Sequence, residues 1–294
     1  MKRLLPALFS LALTAPAFAQ APAATPAPAA APVVWESPLK QALRAGKPVV
    51  GMTVSVPSAD VVLQAARSGF DFVWIEMEHS GLSLESVRNM VLASQGTPLI
   101  PIVRVPVNEL WTAKRALDSG ALGIVFPFTS TPELAKQAVD ACRYPPLGKR
   151  GAGAGLASLR WPAPQGYAEF ADKNVLVIII IEEKRAVDNI DAILDVPGID
   201  VVFVGPNDLS YSYGDRGRQT DRVKEGIAKV LAAAKKRGIS AGRTTSVGDI
   251  KGHIAQGFQF FQASSELGFM AAGARPFLEA AGKNPPDTKN RPLY

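Results

Sequence analysis

Residues 175–181 read VLVIIII and are followed at once by Glu182 and Glu183. An unbroken apolar run of mostly β-branched residues suits a strand buried on both faces, covered by helices outside and packed on other strands inside. Working outward, similar short runs fall at 49–52, 72–75, 100–103, 123–126, 201–204, 239–241 and 258–263. Between them the apolar spacing turns helical, as at Leu84, Val87 and Val91; Leu110, Ala113 and Leu117; Val187, Ile190 and Leu194; and Val223, Ile227, Val230 and Leu231. Thr131 before Pro132 reads as an N-cap with proline at the first helical position, and Gly120 and Gly238 read as helix stops. Eight strand and helix units predict an α/β fold, a single-domain (β/α)8 TIM barrel. An open doubly wound sheet would carry a glycine-rich loop after its first strand, where Gly51 stands alone.

The two ends read differently from the centre. Lys2 and Arg3, an apolar stretch over 4–15 and Ala17-Phe18-Ala19 predict a signal peptide at 1–19 and export, to the periplasm. Residues 20–33 are almost wholly Ala and Pro and predict a linker; 34–282 form the barrel; 283–294 predict a disordered tail. No stretch approaches the roughly 20 apolar residues of a spanning helix, so no stable membrane insertion is expected after cleavage. Of the formal charge of +6, Lys2 and Arg3 supply two, and Lys283, Lys289 and Arg291 against Asp287 supply two more, leaving +2 for the barrel. That is too little for the clustered basic face a nucleic-acid partner needs. Cys142 is the sole cysteine, so no internal disulfide is expected.

Barrel enzymes gather their chemistry at the carboxyl ends of the strands. There the second strand runs into Glu76-Met77-Glu78-His79, the third ends on Arg104, the fifth on Glu182-Glu183, and the sixth runs through Gly205-Pro206-Asn207 to Asp208. Glu182 and Asp208 can hold a hard divalent cation and leave positions for substrate oxygens. A 2-oxo acid could fill two of these positions, Arg104 could stabilise an enolate, and His79 is the histidine near this rim that could act as a base. Each has a structural alternative. A lone histidine after a strand can be a plain hydrogen bonder, Arg104 a barrel-end ion pair, Glu183 a carboxylate favourable to the next helix dipole, and Glu76 a structural ion-pair partner. His253, within KGHIAQG, is given no role.

The segments FDFVWIEMEHSGLSLESVRNMV (70–91), PIVRVP (101–106), KRALDSGALGIVFP (114–127), RYPPLGKRGAG (143–153) and VPGIDVVFVGPNDLS (196–210) resemble the HpcH/HpaI family of metal-dependent pyruvate aldolases, in order and spacing. The resemblance implies that His79 is the general base, Arg104 the transition-state stabiliser and Asp118 a carboxylate that raises the basicity of the histidine. It implies Glu182 and Asp208 as ligands of Mg²⁺, Mn²⁺ or Co²⁺, the backbone N–H groups of Asn207 and Asp208 as holders of the pyruvate carboxylate, and Glu78 as the group that orients a metal-bound water. It also implies hexamers of paired barrels with exchanged C-terminal helices, which gives 267–280 a role. Three positions depart from the family: Glu76 replaces an aspartate, Ile180 a glutamine, and Arg243 an apolar residue. Substrate identity is therefore not carried over.

The leading expectation is a class II aldolase that cleaves a 4-hydroxy-2-oxo acid to pyruvate and an aldehyde. A Schiff-base aldolase would need a desolvated lysine, for which Lys184 is the nearest candidate. An exported, non-catalytic 2-oxo acid binding protein would need only Glu182, Asp208 and Arg104.

Overall fold

The structure is a computed structural model that describes residues 35–283; the expected signal peptide, the linker and residues 284–294 lie outside the described residues. Eight parallel strands close into a barrel in sequence order: β1 (Val49–Val54), β2 (Phe72–Glu76), β3 (Ile100–Arg104), β4 (Gly123–Phe126), β5 (Leu176–Ile181), β6 (Val201–Val204), β7 (Ser240–Thr244) and β8 (Phe260–Ser265). Helix α1 (Pro38–Arg44) precedes β1, and α2 (Ala59–Arg67), α3 (Leu84–Ala93), α4 (Leu110–Asp118) and α5 (Pro132–Cys142) follow the first four strands in turn. Then α6 (Gly155–Ser158) and α7 (Tyr167–Asn174) lead to β5, α8 (Lys184–Asp188) and α9 (Ile190–Leu194) to β6, and α10 (Pro206–Ser212) and α11 (Asp221–Arg237) to β7. Helix α12 (Ile250–Gln256) joins β7 to β8, and α13 (Glu266–Ala280) follows β8. No helix among the described residues is long and apolar enough to cross a membrane.

Local chemistry sets most boundaries. The Thr131 hydroxyl accepts the Leu134 N–H at 3.3 Å, capping α5 as its Thr-Pro pair predicts. Gly238 ends α11 with φ 65°, a left-handed conformation that costs glycine nothing. The apolar spacing at Val187, Ile190 and Leu194 predicts one helix, but the chain breaks at Asn189 into α8 and α9. β7 and β8 begin one and two residues later than the apolar runs suggest and continue further into polar sequence.

Strand register fixes which side chains enter the barrel. Glu76 pairs with Arg104, Ile180 with Phe203, Phe203 with Gly242, Thr244 with Gln262, and Gly51 with both Phe72 and Gln262. Parallel partners face the same way, so all of these share the interior. Its middle is aromatic: Phe72 stacks on Phe260 at 4.3 Å between centroids, Trp74 meets Phe203 at 5.0 Å, and all four are buried. Facing glycines make the room. A Cβ on Gly51 would lie 2.1 Å from the Phe72 ring, and one on Gly242 would lie 2.9 Å from Phe203. Truncating Trp74 would cost about 3–5 kcal/mol by opening this layer. Above it, toward the carboxyl ends, the interior becomes polar.

The other mouth is tied by paired charges. Asp200, just before β6, meets Lys40 of α1 at 3.0 Å and Arg143 at 3.3 Å and accepts the Val177 N–H. Helix α13 differs from the other long helices, since none of its residues is buried and Leu267, Phe269, Met270 and Phe277 are exposed.

Candidate active site

The ends of β2 and β5 converge on a guanidinium at the end of β3. Arg104, the last residue of β3, is buried; its Nη1 lies 3.4 Å from Glu76 Oε2 and its Nη2 3.7 Å from Glu182 Oε2, with Glu78 in direct contact. Glu76 is a scaffold for the loop that follows β2. One of its oxygens accepts the backbone N–H groups of Glu78 (2.7 Å) and His79 (3.1 Å), and the other accepts the indole N–H of Trp74 (3.0 Å). His79 consequently sits at the rim with its side chain 43% exposed and Nε2 3.7 Å from Glu78 Oε2.

The charges here do not balance. Burial pushes the carboxyls of Glu78 and Glu182 up to about 7 each; Arg104 opposes the rise, while neighbouring carboxylates, Asp208 among them for both groups, add to it. Four carboxylates thus share the field of one buried guanidinium. Such a group takes up protons or a cation, because isolated negative charge is costly in a low-dielectric site. Arg104 Nε is also buried without a hydrogen-bond partner. The donor set of Glu182 and Asp208, two hard oxygen ligands in a site with excess negative charge, fits a divalent cation.

A residue that sequence reasoning missed arranges Glu182. Phe128, just past β4, has φ 48°, a conformation that bulky side chains rarely adopt and that costs roughly 1–3 kcal/mol. Its N–H donates to Glu182 Oε1 at 2.7 Å, and the next N–H, of Thr129, donates to the Ile180 carbonyl at 3.2 Å. Oε1 is therefore engaged, and Oε2 is the oxygen beside Arg104. A Cβ at Gly205 would approach that oxygen to 3.0 Å, so glycine keeps the space open. Nothing in composition or spacing signals a left-handed phenylalanine; the turn becomes visible only once β4 and β5 are side by side.

Asp118 ends α4, which runs back toward the amino ends of the strands, and there it pairs with the buried Arg150 at 3.1 Å. A strand length of about 15 Å separates that end from His79 of the same chain. Arg243 does not alter the rim from within: the residue before it in β7, Gly242, faces the interior, and the Arg243 guanidinium lies over the Phe258 ring outside, 5.3 Å from its centroid. Ile180 faces the interior, one layer below Glu182. Asn207 and Asp208 open α10, where the first-turn N–H groups have no acceptor within the helix. Glu183 accepts from Ser130 and Arg185, a structural use. Lys184 is exposed, and a hydrogen bond to Asp188 at 2.7 Å raises its pKa, the reverse of a desolvated amine.

The chain matches the family model described as HpcH/HpaI aldolase/citrate lyase over residues 50–272. It is 34% identical over 235 residues to a hydroxypyruvate/pyruvate aldolase of Roseobacter denitrificans, spanning 79% of this chain and 91% of that one. It is 35% identical to a 2-keto-3-deoxy-L-rhamnonate aldolase of Klebsiella pneumoniae, spanning 70% of this chain and 79% of that one. Among solved structures, an HpcH/HpaI aldolase/citrate lyase family protein from Burkholderia cenocepacia superposes with a TM-score of 0.78 at 31% identity, covering 84% of this chain and 100% of that one.

Proposed function

The chain belongs to the HpcH/HpaI aldolase/citrate lyase family, and from that premise we propose that it is a carbon–carbon lyase that reversibly cleaves a 4-hydroxy-2-oxo acid to pyruvate and an aldehyde; the sequence pattern of residues 1–19, separately, supports export to the periplasm. The observation that carries the reading is the buried Arg104 surrounded by more carboxylate than it can neutralise. Glu182 and Asp208 would hold a divalent cation, Mg²⁺, Mn²⁺ or Co²⁺, which when bound supplies a Lewis acid for the 2-oxo group. The first-turn N–H groups of Asn207 and Asp208 would hold the substrate carboxylate, as helix amino ends hold anions.

His79, exposed at the rim, would take the proton of the C4 hydroxyl as the C3–C4 bond breaks. The electron pair of that bond moves into the 2-oxo group, and the Arg104 guanidinium stabilises the negative oxygen that results. Protonation of the enolate at carbon gives pyruvate, while the former hydroxyl carbon leaves as the aldehyde. Glu78, between His79 and Arg104, orients the base and the water beside it. Asp118 would act on His79 only from a second copy. That requirement, with the exposed apolar face of α13, supports an assembly of exchanged helices, a hexamer by resemblance.

The test is pyruvate release from a panel of 4-hydroxy-2-oxo acids with Mg²⁺, Mn²⁺ or Co²⁺. Release abolished by EDTA and restored by metal is expected; release that survives full chelation would reject the mechanism.

A further inference from the structure

On the outer flank of the barrel, α4, α5 and α9 border a groove of about 1020 Å³. Its apolar lining includes Leu110, Trp111, Pro132, Val196 and Pro197. Trp111 is 56% exposed, whereas Trp35, Trp74 and Trp161 are buried or half-buried. Its ring is tethered, because the indole N–H donates to the Glu109 carboxylate two residues back. A tethered aromatic wall binds with little further loss of side-chain freedom.

The charges along this groove are only partly paired. Asp140 is met by Lys136 and, at 3.4 Å, by Lys149; Asp195 is met by Arg237 at 2.8 Å. Glu109 and Glu133 line the same groove and meet no basic side chain among the described residues. The surface therefore combines an exposed tryptophan, proline edges and two carboxylates without a counter-charge. A proline-rich segment that carries cations suits it: the polyproline helix lays rigid apolar ridges on an aromatic ring, and Lys or Arg pairs with the acids beside it.

This chain carries such a segment. Residues 284–292 read NPPDTKNRP, with Lys289 and Arg291 against the single acid Asp287. They follow α13, which comes after β8, whereas α5, at the centre of the groove, comes after β4 on the opposite side of the barrel. Half of the helix ring separates the two, an arc of roughly 40 Å at about 10 Å per helix. Even fully extended, the chain from Lys283 to Pro292 spans only about 32 Å. A groove is thus out of reach of its own segment but not of one from a neighbouring copy. We propose that the groove of one copy binds residues 284–292 of a second, with the prolines on Trp111 and with Lys289 and Arg291 beside Glu109 and Glu133. The excess of positive charge on the segment favours it over an uncharged occupant.

The test places a photo-reactive benzophenone in the groove of the full chain, on the cysteine introduced by Gln137→Cys; Cys142 is buried and stays unlabelled. Irradiation should give a product of twice the chain mass, with the attachment mapped by peptide mass spectrometry to residues 284–292 of the second copy. Combining Lys289→Glu with Arg291→Glu should lower its yield at least about fivefold, and adding Glu109→Lys with Glu133→Lys should restore it. Trp111→Ala, at an exposed position, should lower the yield to a similar extent. Attachment to any other segment, to residues 284–292 of the same chain, or to nothing overturns the inference. A yield that is unmoved by Trp111→Ala or by the charge reversals, or that the compensating reversals do not restore, overturns it as well.

Discussion

At the amino end of the barrel, Asp200 is held by Lys40, Arg143 and the Val177 N–H, and Arg143 also donates to the Val175 carbonyl at 3.1 Å. At the carboxyl end, Arg104 faces Glu76, Glu78 and Glu182, with Asp208 adding to the negative field. Both clusters are largely buried and both mix signs, but only the first is near balance. A balanced cluster fastens strands and helices; an unbalanced one needs something from outside, and that marks the end that binds a ligand.

The contrast is broken most severely by Glu182→Gln or Arg104→Leu, each expected to lower kcat/KM for pyruvate release by about 10²–10³-fold or more. Removing a carboxylate from a site with too many should leave the melting temperature of the metal-free protein unchanged or raised in Glu182→Gln. A matching fall in stability and activity would mean that the cluster is merely structural. Asp200→Asn should do the reverse, costing roughly 2–4 kcal/mol in denaturant unfolding by stranding Lys40 and Arg143. Its kcat/KM, measured on folded enzyme, should stay within about twofold of wild type, since the aromatic layer of Phe72, Trp74, Phe203 and Phe260 separates the two ends.

The pH dependence sharpens the same difference. Glu78 and Glu182 are raised to about 7 in the folded chain, above the ordinary carboxylate value of 4.5. Between those values the folded chain binds more protons than the unfolded one, so unfolding free energy falls as pH rises. Metal-free protein should therefore melt higher at pH 5.5 than at pH 7.5, and saturating Mn²⁺ should flatten or reverse the slope. Identical slopes with and without metal would detach these carboxyls from cation binding. The smallest effect concerns Phe128. Glycine there should be more stable than alanine by about 1 kcal/mol, because only glycine relieves the left-handed φ of 48°.

The alternation of apolar strands and helical spacing makes the barrel legible in the sequence, and the rule that chemistry lies at carboxyl strand ends puts Glu76, Glu78, His79, Arg104, Glu182 and Asp208 at one mouth. Asp118 lies at the other end, paired with Arg150. Its segment matches the family, but the direction of α4 carries it to the far end, a fact that spacing within one chain does not reveal. Phe128 was invisible because its contribution is a backbone N–H.

The most direct measurement is calorimetric titration of Mn²⁺ into wild-type protein and into the double variant Glu182→Gln, Asp208→Asn at pH 7.5. One saturable site per chain, lost in the variant, is predicted. Equal affinity in both proteins, or no binding to the wild type, would contradict a shared cation at the carboxyl mouth of the barrel.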